Sequence, residues 1–282
     1  MVIQCNPLIS IYLPTHNRVD RLKRALNSIY SQTYKNYEII VCDDGSSDAT
    51  QEWMLDLVKK NNQVRYLRNP KPKGACSARN LGIFAARGEF ITGLDDDDEF
   101  TNDRLERLLA AWRGEYSFVC TNFLDSYIGA PNKLHYISTR NLFTLRDLLL
   151  RNEASNQIFT KTARLKEIDG FNVNVKRLQD WDTWIRMCHK FGDFYRLPEP
   201  LYVMHHDHGE NEMRVSVNIP LHEALEGLCD RNINVYDRKS EFLLRSNVRY
   251  LSGRYTFSDV LLNIWFSKSF KPIYHYFFQR NR

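Results

Sequence analysis

Four consecutive aspartates, Asp95–Asp98, close the apolar run of "EFITGLDDDDEF" (residues 89–100). Two unit charges about 5 Å apart repel by about 3 kcal/mol at an effective dielectric near 20. A flexible loop could splay them into water. The end of a strand cannot, unless a cation lies between them. Hard ions such as Mg²⁺ and Mn²⁺ suit that setting, because they are held by one or two carboxylates plus substrate phosphates. A turn that merely caps the next helix would need one acid, not four. A second pair, Asp43-Asp44, precedes Gly45-Ser46-Ser47. Ser47 or Asp48 alone can cap a helix starting near Ala49, which leaves Asp44 free for a ligand. Arg79, in "SARN", carries a planar fork that fits phosphate or ribose oxygens, or an inter-helix salt bridge. Asp180 and Asp182, in "LQDWDTW", are two residues apart on an expected helix and so point to different faces. Last comes "YVMHHDHGENEMRVS" (202–216), with His205, His206 and His208 around one acid.

These side chains need a scaffold that gathers them. Leu8–Leu13 reads as a buried strand ended by Pro14, and Arg18–Ser31 as a helix with apolar Leu22, Ala25, Leu26 and Ile29 on one face. Strands are expected at Glu38–Cys42, Val64–Leu67 and Phe90–Leu94, alternating with helices over 49 onward, Ala75–Ala86 and Asn102–Trp112. Such alternation indicates a parallel sheet covered on both faces, with ligands outside the carboxyl ends of the strands. Both acidic clusters stand at such ends. After about residue 120 the regularity fades. Short strands are expected near Phe118–Asn122 and Gln157–Thr160, a helix over 177–192 with Asp180 in its first turn, and a last strand at Leu201–His205. From about Val217 onward the pattern is helical.

The chain has 282 residues, 43% hydrophobic, enough for one large domain with an appendage. Six scattered cysteines without CxxC spacing favour a reducing compartment over a disulfide framework. No signal peptide pattern opens the sequence and no apolar run reaches about 18 residues, so the protein is expected in the cytoplasm. The net charge of +5 is uneven: from Arg238 to the end nine Lys/Arg face two acids, leaving the rest slightly acidic.

"SIYLPTHNR", "QTYKNYEIIVCDDGSSDAT", "KGACSARNLGIFAARGEFITGLDDDDEF" and "LQDWDTWIRM" resemble, in order and spacing over about residues 7–207, the motifs of family 2 glycosyltransferases, inverting enzymes of the GT-A fold. The resemblance implies a Rossmann-like, mostly parallel α/β sheet flanked by helices. It divides the chain into a catalytic domain over 1–215 (nucleotide-sugar half 1–120, acceptor half 121–215) and a helical extension over 216–282. It implies Asp97 as ligand of Mn²⁺ or Mg²⁺, with His206 and His208 as further candidates for the metal or diphosphate. Asp96 would meet the ribose, Asp95 opens the motif, and Asp98 leaves the register open by one. Asp44 would accept a hydrogen bond from the base, favouring uracil, with Asp43 beside it. Pro14, Thr15 and Asn17 would line the same pocket, and Arg79 would face the donor. Asp180 would be the catalytic base, with Gln179 replacing the family's glutamate. A Gln-x-x-Arg-Trp motif, which marks processive synthases, is absent, so one sugar per visit is implied.

The expected function is metal-dependent transfer of one sugar from a nucleotide-sugar, UDP-linked, to a saccharide acceptor on a polyprenyl-diphosphate carrier, in surface polysaccharide assembly. A nucleotidyltransferase or an oxidoreductase would need a glycine-rich loop after the first strand, which "LPTHNRVDRL" lacks. Nucleic-acid binding would place the charge on a sheet with aromatic platforms, not in a tail. A non-catalytic carbohydrate- or nucleotide-binding protein stays open. The tail "FSDVLLNIWFSKSFKPIYHYFFQRNR" is basic and aromatic, fit to lie at the inner face of the cell membrane. It fits equally a helix docked on the catalytic domain or a dimer contact.

Overall fold

The computed structural model describes residues 6–207, 219–267 and 271. Among these residues ten strands form one sheet, β1 (Ile9–Thr15), β2 (Tyr37–Asp43), β3 (Val64–Arg68), β4 (Phe90–Gly93), β5 (Glu99–Phe100), β6 (Val119–Tyr127), β7 (Lys133–Leu134), β8 (Leu142–Phe143), β9 (Phe159–Lys161) and β10 (Phe194–His206). The main order is β3-β2-β1-β4-β9-β6-β10-β5, with β7 on β6 and β8 on β10. The β3-β2-β1-β4 block is parallel, as is β6 beside β10. Strand β9 runs antiparallel between these blocks, and β5, β7 and β8 also pair antiparallel, so the sheet is mixed.

Every residue of β1 and β2 is buried, as expected of parallel strands covered on both sides. One face holds Ile9, Ile11 and Leu13 with Leu22 and Leu26 of α1 (Val19–Tyr30). The other holds Tyr12 with Ile83 of α3 (Ala75–Ala85) and Trp184 of α7 (Gln179–Phe191). Between α1 and α3 lies α2 (Thr50–Lys60); α4 (Arg104–Ala111), α5 (Leu145–Leu148) and α6 (Thr162–Glu167) complete the first two hundred residues. The C-terminal helices α8 (Leu221–Arg231) and α9 (Arg238–Leu251) add Leu225, Leu228, Leu244 and Val248 to the Trp184 core, and α10 (Phe257–Ser267) packs on α9.

Two local expectations give way, and of the two candidate caps for α2 Asp48 is the one used. Pro14 does not end β1, which continues to Thr15. The carbonyl of Tyr12 faces β4 and that of Thr15 faces β2, so by alternation the Pro14 nitrogen faces the side where pairing with β4 has already stopped at Gly93. No ladder donor is lost. Strand β10 starts seven residues before Leu201, running through Pro198 and Pro200, because register shifts after Leu197 and Pro200 absorb both prolines. Helix α2 begins at Thr50, whose N–H is taken by Asp48 Oδ1 at 3.0 Å, while Ser47 does not cap it.

Candidate active site

The carboxyl ends of β1, β2 and β4 open into two adjoining cavities, of about 580 and 400 Å³. The larger is lined by Pro14–Arg18, Asp44, Gly74, Ala75 and Asp95–Asp97; the smaller by Asp98, Asn156, Lys176–Asp180 and Met204–His206. Arg18, Ala75, Arg79, Asp95 and Asp97 belong to both walls. This is the switch point of the parallel block, where β2 lies on one side of β1 and β4 on the other.

Glycine is required just before the acids. A Cβ on Gly93 would stand 2.0 Å from Gln157 Oε1 and 2.4 Å from the Tyr12 ring. The four aspartates then diverge. Asp95 is spent on structure: Oδ1 accepts from Arg79 Nη2 at 2.9 Å and Gln157 Nε2 at 3.1 Å, and Oδ2 from Asn156 Nδ2 at 3.0 Å. Asp98 is buried, held by the Tyr202 hydroxyl at 2.7 Å and the His205 N–H at 2.9 Å. Asp96 accepts from Thr15 Oγ1 at 2.7 Å, and Asp97 presents its carboxylate at the seam of the cavities. Arg18 Nη1 bridges Asp96 and Asp97 at 3.2 and 3.0 Å. Burial, then the Asp97 charge, pushes the Asp96 carboxyl up to about 7, and burial with Asp97 and Asp95 also raises Asp98. Negative charge is therefore in excess here, the setting a divalent cation relieves. Among the described residues no group of three or more His, Cys, Asp or Glu could hold a metal alone. The carboxylates of Asp96 and Asp97 are the hard oxygen donors that suit a Mg²⁺- or Mn²⁺-type ion sharing its shell with substrate oxygens.

Asp43 differs from the expectation that it faces a ligand. It is fully buried, Oδ1 accepting from Ser46 N and Oγ at 2.8 and 2.5 Å, Oδ2 from Arg68 Nε at 3.1 Å and from the Tyr66 hydroxyl. Asp43 fixes the turn that Asp44 leaves. Asp44 lines the larger cavity but is not free: it accepts from Asn69 Nδ2 at 2.8 Å, Lys73 N at 2.9 Å and Gly74 N at 2.6 Å. It closes the loop before α3, where Gly74 adopts φ +95°. Asn17, itself at φ +55°, accepts from Ser47 N at 2.6 Å and so staples the two loops around Pro14 and Asp44.

Arg79 projects from α3 between the cavities, with Nη1 donating to Gln179 Oε1 at 3.0 Å and its guanidinium over the Phe171 ring. Asp95 keeps it charged against the cost of burial. Asp180 is the second residue of α7, following Leu178 in the left-handed region at φ +61°. Burial raises its carboxyl above the ordinary range, opposed by the Trp181 N–H and by Arg79. Asp182 points elsewhere: buried, it accepts from Arg231 Nε at 2.9 Å and Arg186 Nε at 3.2 Å, pinning α8. His206 lines the smaller cavity while its Nε2 meets Asp125 Oδ1 at 2.8 Å and its ring stacks on Tyr127. His208 lies outside the described residues.

Sequence reasoning missed Arg18, Asn156, Gln157 and Tyr202, which all touch the acidic motif. The polar run "NEASNQ" (152–157) between Leu150 and Ile158 is the signal that points to two of them.

Residues 10–170 match the model of glycosyl transferase family 2. An Escherichia coli (strain K12) protein named for colanic acid biosynthesis, glycosyl transferase WcaA, is 35% identical over 219 residues, 75% of this chain and 77% of that one. Escherichia coli WfgD, a UDP-Glc:alpha-D-GlcNAc-diphosphoundecaprenol beta-1,3-glucosyltransferase, is 33% identical over 46% of this chain and 53% of its own length. The fold is shared with a mannosyltransferase from Pyrobaculum calidifontis, solved in complex with GDP-Man and Mn²⁺: TM-score 0.61 at 17% identity, over 86% of this chain and 70% of that one. The sheet, the cleft at its carboxyl edge and these matches lead to one conclusion: this chain belongs to glycosyl transferase family 2, with the GT-A fold, and is a glycosyltransferase.

Proposed function

We propose that the protein transfers a single sugar, with inversion, from a UDP-sugar to a hydroxyl of a saccharide acceptor carried on a polyprenyl diphosphate. The observation that carries this reading is the smaller cavity, where Asp97 and Asp180 line one space. One carboxylate suits a cation and the other, its pKa raised by burial, suits proton removal. The larger cavity takes the nucleotide: Asp44 at the base, Thr15, Asn17 and Asp96 along the ribose. Asp97, with His206 on the wall of the same cavity, would hold a divalent ion, which when bound would supply positive charge for the leaving diphosphate. Asp180 takes the proton of the acceptor hydroxyl as that oxygen attacks the anomeric carbon from the face opposite the diphosphate. Arg79 fixes the wall between donor and base. On this reading the chain divides into a catalytic domain over 1–215 and an extension over 216–282, and the shared core of α7, α8 and α9 supports an acceptor half lying against the extension.

The name of WfgD supports a UDP-sugar and a diphosphate-linked acceptor, and the Mn²⁺ complex of the mannosyltransferase supports the ion. No helix among the described residues is long and apolar enough to cross a membrane. Contact with the inner membrane surface is assigned instead to α10 and the basic sequence after it, since Leu261 and Leu262 are exposed on that helix. A screen of UDP-, GDP- and dTDP-sugars with Mn²⁺ and saccharide acceptors, read by released nucleotide, tests the proposal. Acceptor-dependent release from a UDP-sugar is expected, and none from any donor would overturn it.

A further inference from the structure

Among the described residues the Asp180 carboxylate has one side-chain partner beside the Trp181 N–H, Asn152, whose Nδ2 donates to Asp180 Oδ2 at 3.0 Å. The amide cannot be turned over without loss, because Asn152 Oδ1 accepts from Ala154 N at 3.2 Å and Nδ2 also donates to Ser155 O at 3.1 Å. The Asn152 carbonyl accepts from the Tyr136 hydroxyl at 3.0 Å. Ser155 sits in the left-handed region at φ +63°. A non-glycine residue holds that conformation only where its surroundings over-determine it. Here the fully buried Trp184, one turn beyond Asp180 on α7, donates from Nε1 to Ser155 O at 2.9 Å.

The same loop reaches the other end of the site. Asn156 Nδ2 donates to Asp95 Oδ2 at 3.0 Å, and Gln157 Nε2 to Asp95 Oδ1 at 3.1 Å. Gln157 Oε1 is in turn fixed by the Tyr12 hydroxyl at 2.9 Å. Six consecutive residues thus grip both the acidic strand end and Asp180, which come from distant parts of the chain.

We propose that Asn152–Gln157 is a positioning clamp that sets the distance between donor and base, and that Asn152 is the positioning residue for Asp180. Its bond to Oδ2 fixes the plane of the carboxylate that receives the acceptor proton. As the acceptor oxygen bonds to the anomeric carbon, the bond from that carbon to the diphosphate oxygen breaks and the proton passes to the Asp180 carboxylate. A donor held against Oδ2 also favours the ionised carboxylate. The inference rests on Asp180 being the base. Other ionisable groups bearing on Asp180 are Arg79 and Cys76 of α3, Asp95 at the end of β4 and Tyr12 of β1, with Lys176 and Arg177 on the cavity wall. The variants below leave all of these in place.

The test is the pH profile of kcat/KM for the acceptor, in the full chain, for wild type, Asn152→Ala, Asn152→Asp and Asp180→Asn, with UDP affinity measured alongside. In Asn152→Ala the acid limb should move up, and in Asn152→Asp further, since a second carboxyl replaces a donor. UDP affinity should stay within about twofold. A uniform fall in kcat/KM with the acid limb unmoved in both variants would overturn the positioning role. Full turnover in Asp180→Asn would instead overturn the assignment of the base. If Asn152→Asp does not fold, Asn152→Ala alone decides the matter.

Discussion

Two aspartates two residues apart, Asp180 and Asp182, are expected to fail in opposite ways. Asp182 is 2% exposed and accepts from Arg186, Arg231 and Asn232, tying α7 to α8. Breaking a buried ion pair from one side costs about 3–5 kcal/mol. Both arginines keep about a third of their side-chain surface in water, so they can rehydrate, and about 2–3 kcal/mol is expected for Asp182→Asn. For a chain of this size that lowers the melting temperature by about 5–10 °C. Turnover per folded molecule should stay within about threefold, because Asp182 lines neither cavity. Asp180→Asn should leave the melting temperature within about 2 °C, since it removes a charge that burial already disfavours. Its turnover should fall by about 10²–10⁴ with UDP affinity intact. Thermal melts, UDP calorimetry and transfer rates on both variants decide the issue. A stable, inactive Asp182→Asn beside an active Asp180→Asn would refute the assignment.

Gly93→Ala should destabilise the fold by about 1–3 kcal/mol and lower transfer as well, because the new methyl displaces Gln157 from Asp95; a melt and activity equal to wild type would contradict the packing. Arg18→Ala removes a cation from the carboxylates of Asp96 and Asp97, so Mn²⁺ titrated without nucleotide should bind about fivefold tighter; weaker binding would count against Asp97 as the ligand. In wild type, kcat/KM should be lost as pH falls through the carboxyl value of Asp180. Burial lifts that value, so the acid limb should lie above the ordinary aspartate value of about 3.9, and a limb at or below it would exclude a buried base. Deleting 268–282 while retaining α10, whose Val260 is buried on α9 and whose Asp259 pairs with Arg249, should reduce sedimentation with anionic vesicles and spare soluble-acceptor turnover; unchanged sedimentation would place the membrane contact elsewhere.

The first 120 residues were legible because their physics is local. Strands β1, β2 and β4 are short, largely apolar runs, α1 shows the 3.6-residue spacing, and the acids fall where the runs stop. Asp182, expected on another face from Asp180, does point to α8 rather than to the cleft. What stayed hidden depends on partners far along the chain. Asp43 and Asp44 read alike in "CDDG", yet one is sealed by Tyr66 and Arg68 and the other closes the loop at Lys73 and Gly74. Among Asp95–Asp98, cross-chain bonds from Asn156, Gln157 and Tyr202 hold Asp95 and Asp98, whereas Asp96 and Asp97 are bridged by Arg18. Strand β10 was underestimated because its prolines signal a break, while its bulges are visible only against β6.

The central claim is that Asp97 and a divalent ion together hold the diphosphate of a sugar nucleotide at this cleft. Calorimetric titration of UDP with and without Mn²⁺, into wild type and Asp97→Ala, tests it most directly. Mn²⁺ should tighten UDP binding to the wild type and do nothing for the variant. Equal, Mn²⁺-enhanced affinity in both proteins would contradict it.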